Sequence, residues 1–180
     1  MIEIRVATPS DAAAFAAIYS PICTSTHISF EEDPPSVDEM RARIEKTLAW
    51  TPWLTAVSNG AILGYAYASR HRERPGYRWS VDVSAYLDES ARGRGIGRTL
   101  YERLFAILEE QRFRRAYAGI ALPNDASVAL HRALGFEPIA VYRRVGWKFD
   151  RWYDVAWLGR DIGDGNDRDK PDEPIPFARL

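Results

Sequence analysis

Between positions 92 and 98 the chain reads Arg-Gly-Arg-Gly-Ile-Gly-Arg, and this segment constrains the fold more than any other. The stretch before it, Trp79 to Leu87, reads as a strand. The stretch after it places Ile96, Leu100, Leu104, Ile107 and Leu108 at helical spacing as far as Gln111. Three glycines at alternate positions permit positive φ angles and leave no side chains over the backbone amides. At the start of a helix those amides point toward one spot, where the helix dipole favours an anion. Three arginines, Arg92, Arg94 and Arg98, add guanidinium forks that match phosphate. A strand–loop–helix unit of this kind suits a diphosphate.

Two common nucleotide loops do not fit. A dinucleotide fold has Gly-x-Gly-x-x-Gly after an early strand, with an acidic residue about twenty positions later. Here the spacing is Gly-x-Gly-x-Gly, it begins halfway along the chain, and Glu110 falls at the end of the helix. A P-loop would need Gly-Lys-Ser or Gly-Lys-Thr, which the sequence lacks.

The remaining elements follow from periodicity and punctuation. Ile2, Ile4 and Val6 alternate with polar residues as a short strand. Ser10 can cap a helix running to about Ile22, and Ser36 with Glu39 forms a capping box for a second helix ending before Pro52. Asn59-Gly60 joins strands at Trp53 to Val57 and Ile62 to Ala68 through a type I′ turn. Arg115 to Leu122 returns to the sheet after the long helix, giving a βαβ unit that is right-handed by general preference. Asn124 or Asp125 caps a short helix closed by Gly135, and Phe136 to Tyr142 with Trp152 to Leu158 completes the sheet as an antiparallel pair. The reading is one α/β domain over 1–162, followed by a polar tail, 163–180, expected to be mobile. Only Ile175 and Phe177 in that tail are able to dock.

Length and charge narrow the function. A chain of 180 residues makes one ordinary domain. Its 24 basic and 25 acidic residues leave a net charge of −1, against a general nucleic-acid binder. Cys23 is the single cysteine, so neither an intrachain disulfide nor a cysteine zinc cluster is available, and no metal is expected. The first residues lack a signal-peptide pattern and no apolar run approaches about 20 residues, so a cytoplasmic protein without a membrane anchor is expected.

Arg92-Gly-Arg-Gly-Ile-Gly resembles the (Gln/Arg)-x-x-Gly-x-(Gly/Ala) coenzyme A motif of the GNAT superfamily of N-acetyltransferases. The preceding strand, the Asn124 to Phe136 segment and the element order agree over roughly residues 2 to 160. The chain is most similar to the phosphinothricin and methionine sulfoximine acetyltransferase branch. Thr24-Ser25-Thr26, Tyr77-Arg78-Trp79, Leu122-Pro123-Asn124-Asp125, His131 to Phe136, Gly146 to Phe149 and Arg151-Trp152 carry that likeness. The resemblance implies a mostly antiparallel mixed sheet of about seven strands with about four helices. It also implies acetyl-CoA as donor, a small primary amine as acceptor, direct attack in a ternary complex, and a homodimer.

Residue roles carry over by position. Arg92 and the amides of Gly93, Arg94, Gly95, Ile96, Gly97 and Arg98 would hold the diphosphate. The backbone of Ala85, Tyr86 and Leu87 would pair with pantetheine as an added strand. Asn124 would bind the pantetheine arm, or serve as a helix cap, or both, and Ser127 would join it in holding the donor. An amine must lose a proton before it attacks. The family's glutamate base aligns with Asp82, one methylene shorter, with Glu31 and Asp88 as substitutes. The departing thiolate, whose ordinary pKa is about 8.5, must regain a proton, and His131 takes the acid's position. Arg72 and Arg74 align with basic positions facing the acceptor's anionic groups, with Phe30 and Tyr77 as pocket walls. A coenzyme A-binding sensor lacking a working base, and an acetyltransferase acting on a peptide or other amine, remain alternative readings.

Overall fold

A computed structural model describes residues 2–163 and 170–180. Seven strands form one sheet: β1 (Glu3–Val6), β2 (Trp53–Ser58), β3 (Ala61–Arg70), β4 (Ser80–Leu87), β5 (Arg115–Ala121), β6 (Glu137–Lys148) and β7 (Arg151–Asp161). Their spatial order is β1-β2-β3-β4-β5-β7-β6. Every neighbouring pair is antiparallel except β4 with β5, the two strands joined through a long helix. Four helices complete the fold: α1 (Ala12–Ser25), α2 (Val37–Leu48), α3 (Ile96–Glu110) and α4 (Asp125–Ala133). This is the mixed, mostly antiparallel sheet with four helices expected from the sequence.

Strand alternation divides the core between the two faces of the sheet. On β3, Tyr65 packs with Phe15 and Ile22 of α1 and Met40 and Ile44 of α2. Its neighbours Ala66 and Ala68 face the other way, against Leu100, Leu104 and Leu108 of α3. The apolar spacing of α3 is thus spent on one side, and the aromatic cluster under α1 and α2 on the other.

The parallel pair is short. β4 meets β5 only at Ser80–Arg115, Val81–Ala116 and Asp82–Tyr117. Beyond those pairs β4 keeps β3 as its partner as far as Leu87, while β5 keeps β7 as far as Ala121. The sheet therefore forks after Asp82, and one edge of β4 from Val83 onward carries no strand.

Three expectations change. The helix expected to start at Ser10 is led by a short 3-10 turn, Pro9–Asp11, with Thr8 as its cap. Asp11 fixes that entry by accepting two hydrogen bonds from Arg5, both 2.8 Å. The last two strands are longer than predicted, because Phe149 (φ 48°) and Asp150 (φ 56°) make the tight turn without glycine. The tail is anchored where it is described, through Ile175 and Phe177 as expected and also through Asp172, whose carbonyl accepts from Trp79 Nε1, and Glu173, which pairs with Arg78. Gln111, fully buried, donates to the carbonyls of Trp50 and Ile175, and Phe177 N–H donates to Trp50 O at 3.0 Å. Positions 164–169 of the expected mobile tail lie outside the described residues.

Lys148, at the end of β6 and only 4% exposed, donates to three backbone carbonyls. They belong to Cys23 (2.5 Å), Ser29 (2.6 Å) and Glu31 (2.8 Å). This one ammonium organises the loop between α1 and α2. Replacing it by Met leaves those carbonyls without their donor, so Lys148→Met should lower unfolding free energy by about 2–4 kcal/mol, read from the midpoint of urea denaturation.

Candidate active site

The glycine loop has the conformation its spacing suggests, with one difference. Gly93 (φ +70°) and Gly95 (φ +78°) are left-handed, and a Cβ at either would meet nothing within 4 Å. Gly97 is helical instead. A Cβ there would lie 3.2 Å from Leu130 Cδ2, so this glycine serves the close approach of α4 to α3. Gly95 caps α3 without a side chain, leaving the first amides of the helix free of an intrahelical acceptor.

Those amides border a cavity of about 460 Å³. It unites Ala85, Tyr86 and Leu87 with Arg92, Gly93, Gly95, Ile96, Gly97 and Arg98, and brings Asn124, Ser127 and His131 to the same space. Eleven of the twelve residues expected to hold the donor are thereby gathered; Arg94 is exposed and outside the lining. Arg98 also pairs with Glu102 at 2.8 Å. Asn124 is a helix cap, its side-chain oxygen accepting from Ser127 N–H at 3.2 Å, and among the described residues its amide nitrogen has no hydrogen-bond partner.

His131 is buried at the far side of this cavity. Its Nδ1 donates to the Ser127 carbonyl at 2.8 Å. Its Nε2 accordingly accepts from the Tyr101 hydroxyl at 3.2 Å. Burial lowers its pKa against the raising effect of the Ser127 bond, and burial pushes the Tyr101 phenol far above its usual range. The pair is therefore neutral near pH 7.

Asp82 stands at the last β4–β5 pair, at the apex of the fork. Its Oδ1 accepts from His71 Nδ1 at 2.6 Å, and Asp82 is only partly exposed. Burial raises its pKa, partly offset by the His71 hydrogen bond and the nearby Arg72 charge. Asp88 is occupied elsewhere, accepting from Ser90 N–H as the cap of a 3-10 turn.

A second cleft, of about 980 Å³, lies across Tyr86 from the first. Its walls are Tyr19, Trp53, Tyr65, Tyr67 and Tyr86, and its cations are Arg43, Lys46, Arg70 and Arg72. Glu31 borders it indirectly. It accepts a fork of bonds from Arg43 (2.8 and 2.9 Å) and one from the Tyr19 hydroxyl (3.1 Å). The Arg43 bonds hold its carboxyl below the usual range, so Glu31 is an ion-pair partner rather than a ready base.

Three expected wall and anion-binding residues are placed differently. Phe30 lies over Gly146 so closely that a Cβ there would be 2.1 Å from the ring, which makes it a clamp on β6. Arg74 opens the 3-10 turn Pro75–Tyr77, and Tyr77 is 45% exposed with its ring edge-on to His71. Neither lines the cleft. Sequence reading passed over Tyr19, Arg43, Tyr65, Tyr67 and His71. For Tyr65 and Tyr67 the signal was present, since they alternate with small Ala66 and Ala68 on a strand. Among the described residues no group of three His, Cys, Asp or Glu could hold a metal ion.

The two states of His131 give a pH prediction. Unfolding releases an imidazole that takes a proton near pH about 6.5, whereas the folded site resists that proton. Its contribution to stability is whole above that pH and declines as pH falls toward the lower folded value. Thermal unfolding between about pH 7 and 5 should show this slope in the wild type, and His131→Gln should flatten it.

The profile described as an acetyltransferase (GNAT) domain matches residues 4–157. The phosphinothricin N-acetyltransferase of Alcaligenes faecalis is 41% identical over 91% of this chain and 84% of its own. An L-methionine sulfoximine/L-methionine sulfone acetyltransferase of Salmonella typhimurium is 33% identical over 87% and 92%. The crystal structure of a phosphinothricin acetyltransferase from Sinorhizobium meliloti in complex with AcCoA superposes with a TM-score of 0.91. It is 36% identical and covers 99% of this chain and 97% of that one. Profile, relatives and forked sheet agree: the chain belongs to the GNAT family and is an acetyl-CoA-dependent N-acetyltransferase.

Proposed function

We propose that the acceptor is a small amino acid or glutamate-like analogue of the phosphinothricin or methionine sulfoximine type, acetylated on its primary amine. One observation supports this most: two cavities meet at Tyr86 beside the fork whose apex is Asp82. The α3 amides with Arg92 and Arg98 would take the diphosphate, the unpaired edge of β4 the pantetheine amides, and Asn124 the arm between them.

The acceptor side is aromatic and basic. Arg72 supplies a cation for a carboxylate or phosphinyl group, and tyrosines enclose the carbon chain. A polycation would be repelled there. Transfer forms a C–N bond and breaks a C–S bond. The amine proton leaves toward Asp82 at the apex, and the sulfur recovers a proton at the Tyr101–His131 end. Acetylation cancels the amine's charge, which would disarm a toxic amino-acid analogue. A cytoplasmic location suits the reduced, buried Cys23.

The volume of the cleft also favours a second reading, a peptide N-terminus as acceptor. A panel of amino acids, their phosphinyl and sulfoximine analogues, a polyamine and a short peptide, assayed for thiol release from acetyl-CoA, separates these. Turnover is expected with the anionic amino-acid analogues. Gly95→Val should weaken acetyl-CoA binding at least about tenfold by calorimetry while the far-ultraviolet spectrum is kept, since it places a β-branched residue at positive φ. Unchanged affinity would count against the diphosphate assignment.

A homodimer belongs to the same proposal. β6 is an edge strand, and Ile139 (57%), Val145 (51%) and Trp147 (50%) stand exposed along it. An apolar edge of that kind suits a second copy. Light scattering should give twice the chain mass, and Trp147→Glu should shift it toward the monomer.

A further inference from the structure

The amine needs a proton acceptor that it can reach, and the geometry around Asp82 supplies one that the aspartate alone does not. His71 lines the acceptor cleft, whereas Asp82 is absent from its lining and stands behind the ring. We propose that His71 Nε2 is the atom that takes the proton from the amine, with Asp82 as the positioning carboxylate that holds the ring. This rests on the acetyl-transfer reading above.

The tautomer follows from the partners. An ionised carboxylate only accepts, so the 2.6 Å contact puts the proton on His71 Nδ1. In the neutral ring that leaves Nε2 with a lone pair. Among the described residues no group is bonded to Nε2, so the lone pair is free for a ligand. The ring is fixed by stacking on Tyr117, with centroids 4.4 Å apart and planes at 27°. Trp157 closes one side, edge-on at 6.1 Å, and Tyr77 meets another at the same distance. The charged and titratable groups facing it are Asp82 from β4, Tyr117 from β5, and Arg72 and Tyr77 from its own loop.

The arrangement also accounts for the short side chain at position 82. A glutamate there would reach one methylene farther toward the cleft. Here an aspartate stops short and an imidazole fills the distance. In the step itself, one ammonium N–H proton passes to Nε2, the freed lone pair attacks the thioester carbonyl carbon, and the tetrahedral adduct gives up its second nitrogen proton to water as it collapses. The C–S pair leaves with sulfur, which takes a proton at the Tyr101–His131 end, and water restores that proton, balancing the second one released from nitrogen. The resulting His71 imidazolium is stabilised by Asp82 and returns its proton to water through the open cleft, the division of labour of a His–Asp pair.

The test uses the full chain with His71→Gln, Asp82→Asn, Asp82→Glu and the double variant H71Q/D82N. With the best acceptor of the panel, His71→Gln should lower kcat/KM for the amine by roughly 10²–10⁴-fold and remove the acidic limb of its pH profile. The KM for acetyl-CoA should stay put. The double variant should be no worse than His71→Gln, because the two residues act as one unit. Asp82→Glu should lower activity by displacing the ring. Activity within about threefold of wild type in His71→Gln, with the acidic limb intact, would overturn the proposal and leave the acetyltransferase reading standing. A gain of activity in Asp82→Glu would do the same, making the carboxylate the direct base. A readout independent of turnover is the nitrogen NMR spectrum of the imidazole. An unprotonated Nε2 with a bonded Nδ1–H, lost in Asp82→Asn, is expected, and a dominant Nε2–H tautomer would overturn the proposal. Wild-type protein that binds acetyl-CoA and acetylates nothing in the panel would bring down the functional reading first, and this inference with it.

Discussion

Only three residue pairs hold β4 to β5, and everything functional depends on their stopping at Asp82. A parallel pair carried to the end of both strands would satisfy the backbone of β4 and close the sheet. Because the strands part, a row of β4 amides and carbonyls stays open in the middle of the sheet, between its two edge strands. The helix that links the two strands begins at the mouth of the opening, so its free amides and the free strand edge border one continuous cavity. The carboxylate at the apex is then the one acidic side chain of β4, on the same strand as the Tyr86 at which the two cavities meet. Fold and site share this one divergence.

Two histidines near the fork show how partners, rather than residue type, assign a role. Both rings donate from Nδ1, one to the Ser127 carbonyl and the other to the Asp82 carboxylate. The first has its second nitrogen covered by the Tyr101 hydroxyl and is driven neutral by burial. The second keeps that nitrogen open, with an anion behind it to stabilise a positive ring. In the sequence only His131 stands out, by its position in the family resemblance, while His71 is one more polar residue in a basic run.

What could be read in advance was local. The glycine loop, the Asn59-Gly60 hairpin, the βαβ unit around α3 and the Asn124 cap all depend on residues close together in the chain, and all are present. What could not be read depends on distance. His71 sits in a run of arginines that looks like a solvated loop, and only the strand register puts it beside Asp82, eleven positions away. Tyr19 and Arg43 come from two helices and meet at Glu31 through tertiary packing. Phe30 looked like a pocket wall, yet the absence of a side chain at Gly146 offered it a better seat. Phe149 and Asp150 turn the last hairpin against their own preference, held there by the paired residues on either side.

The ammonium of Lys148 gives the outer hairpin a reach it would otherwise lack. It ties the tip of β6 to the carbonyl of Glu31, and the Glu31 side chain grips Arg43 in the wall of the larger cleft. The chain of contacts runs from the rim of the sheet to that cleft by way of backbone carbonyls and an ion pair. Pressure on that rim is felt as a tug on a guanidinium. The periphery of this protein and its chemistry are joined by a tether a few bonds long.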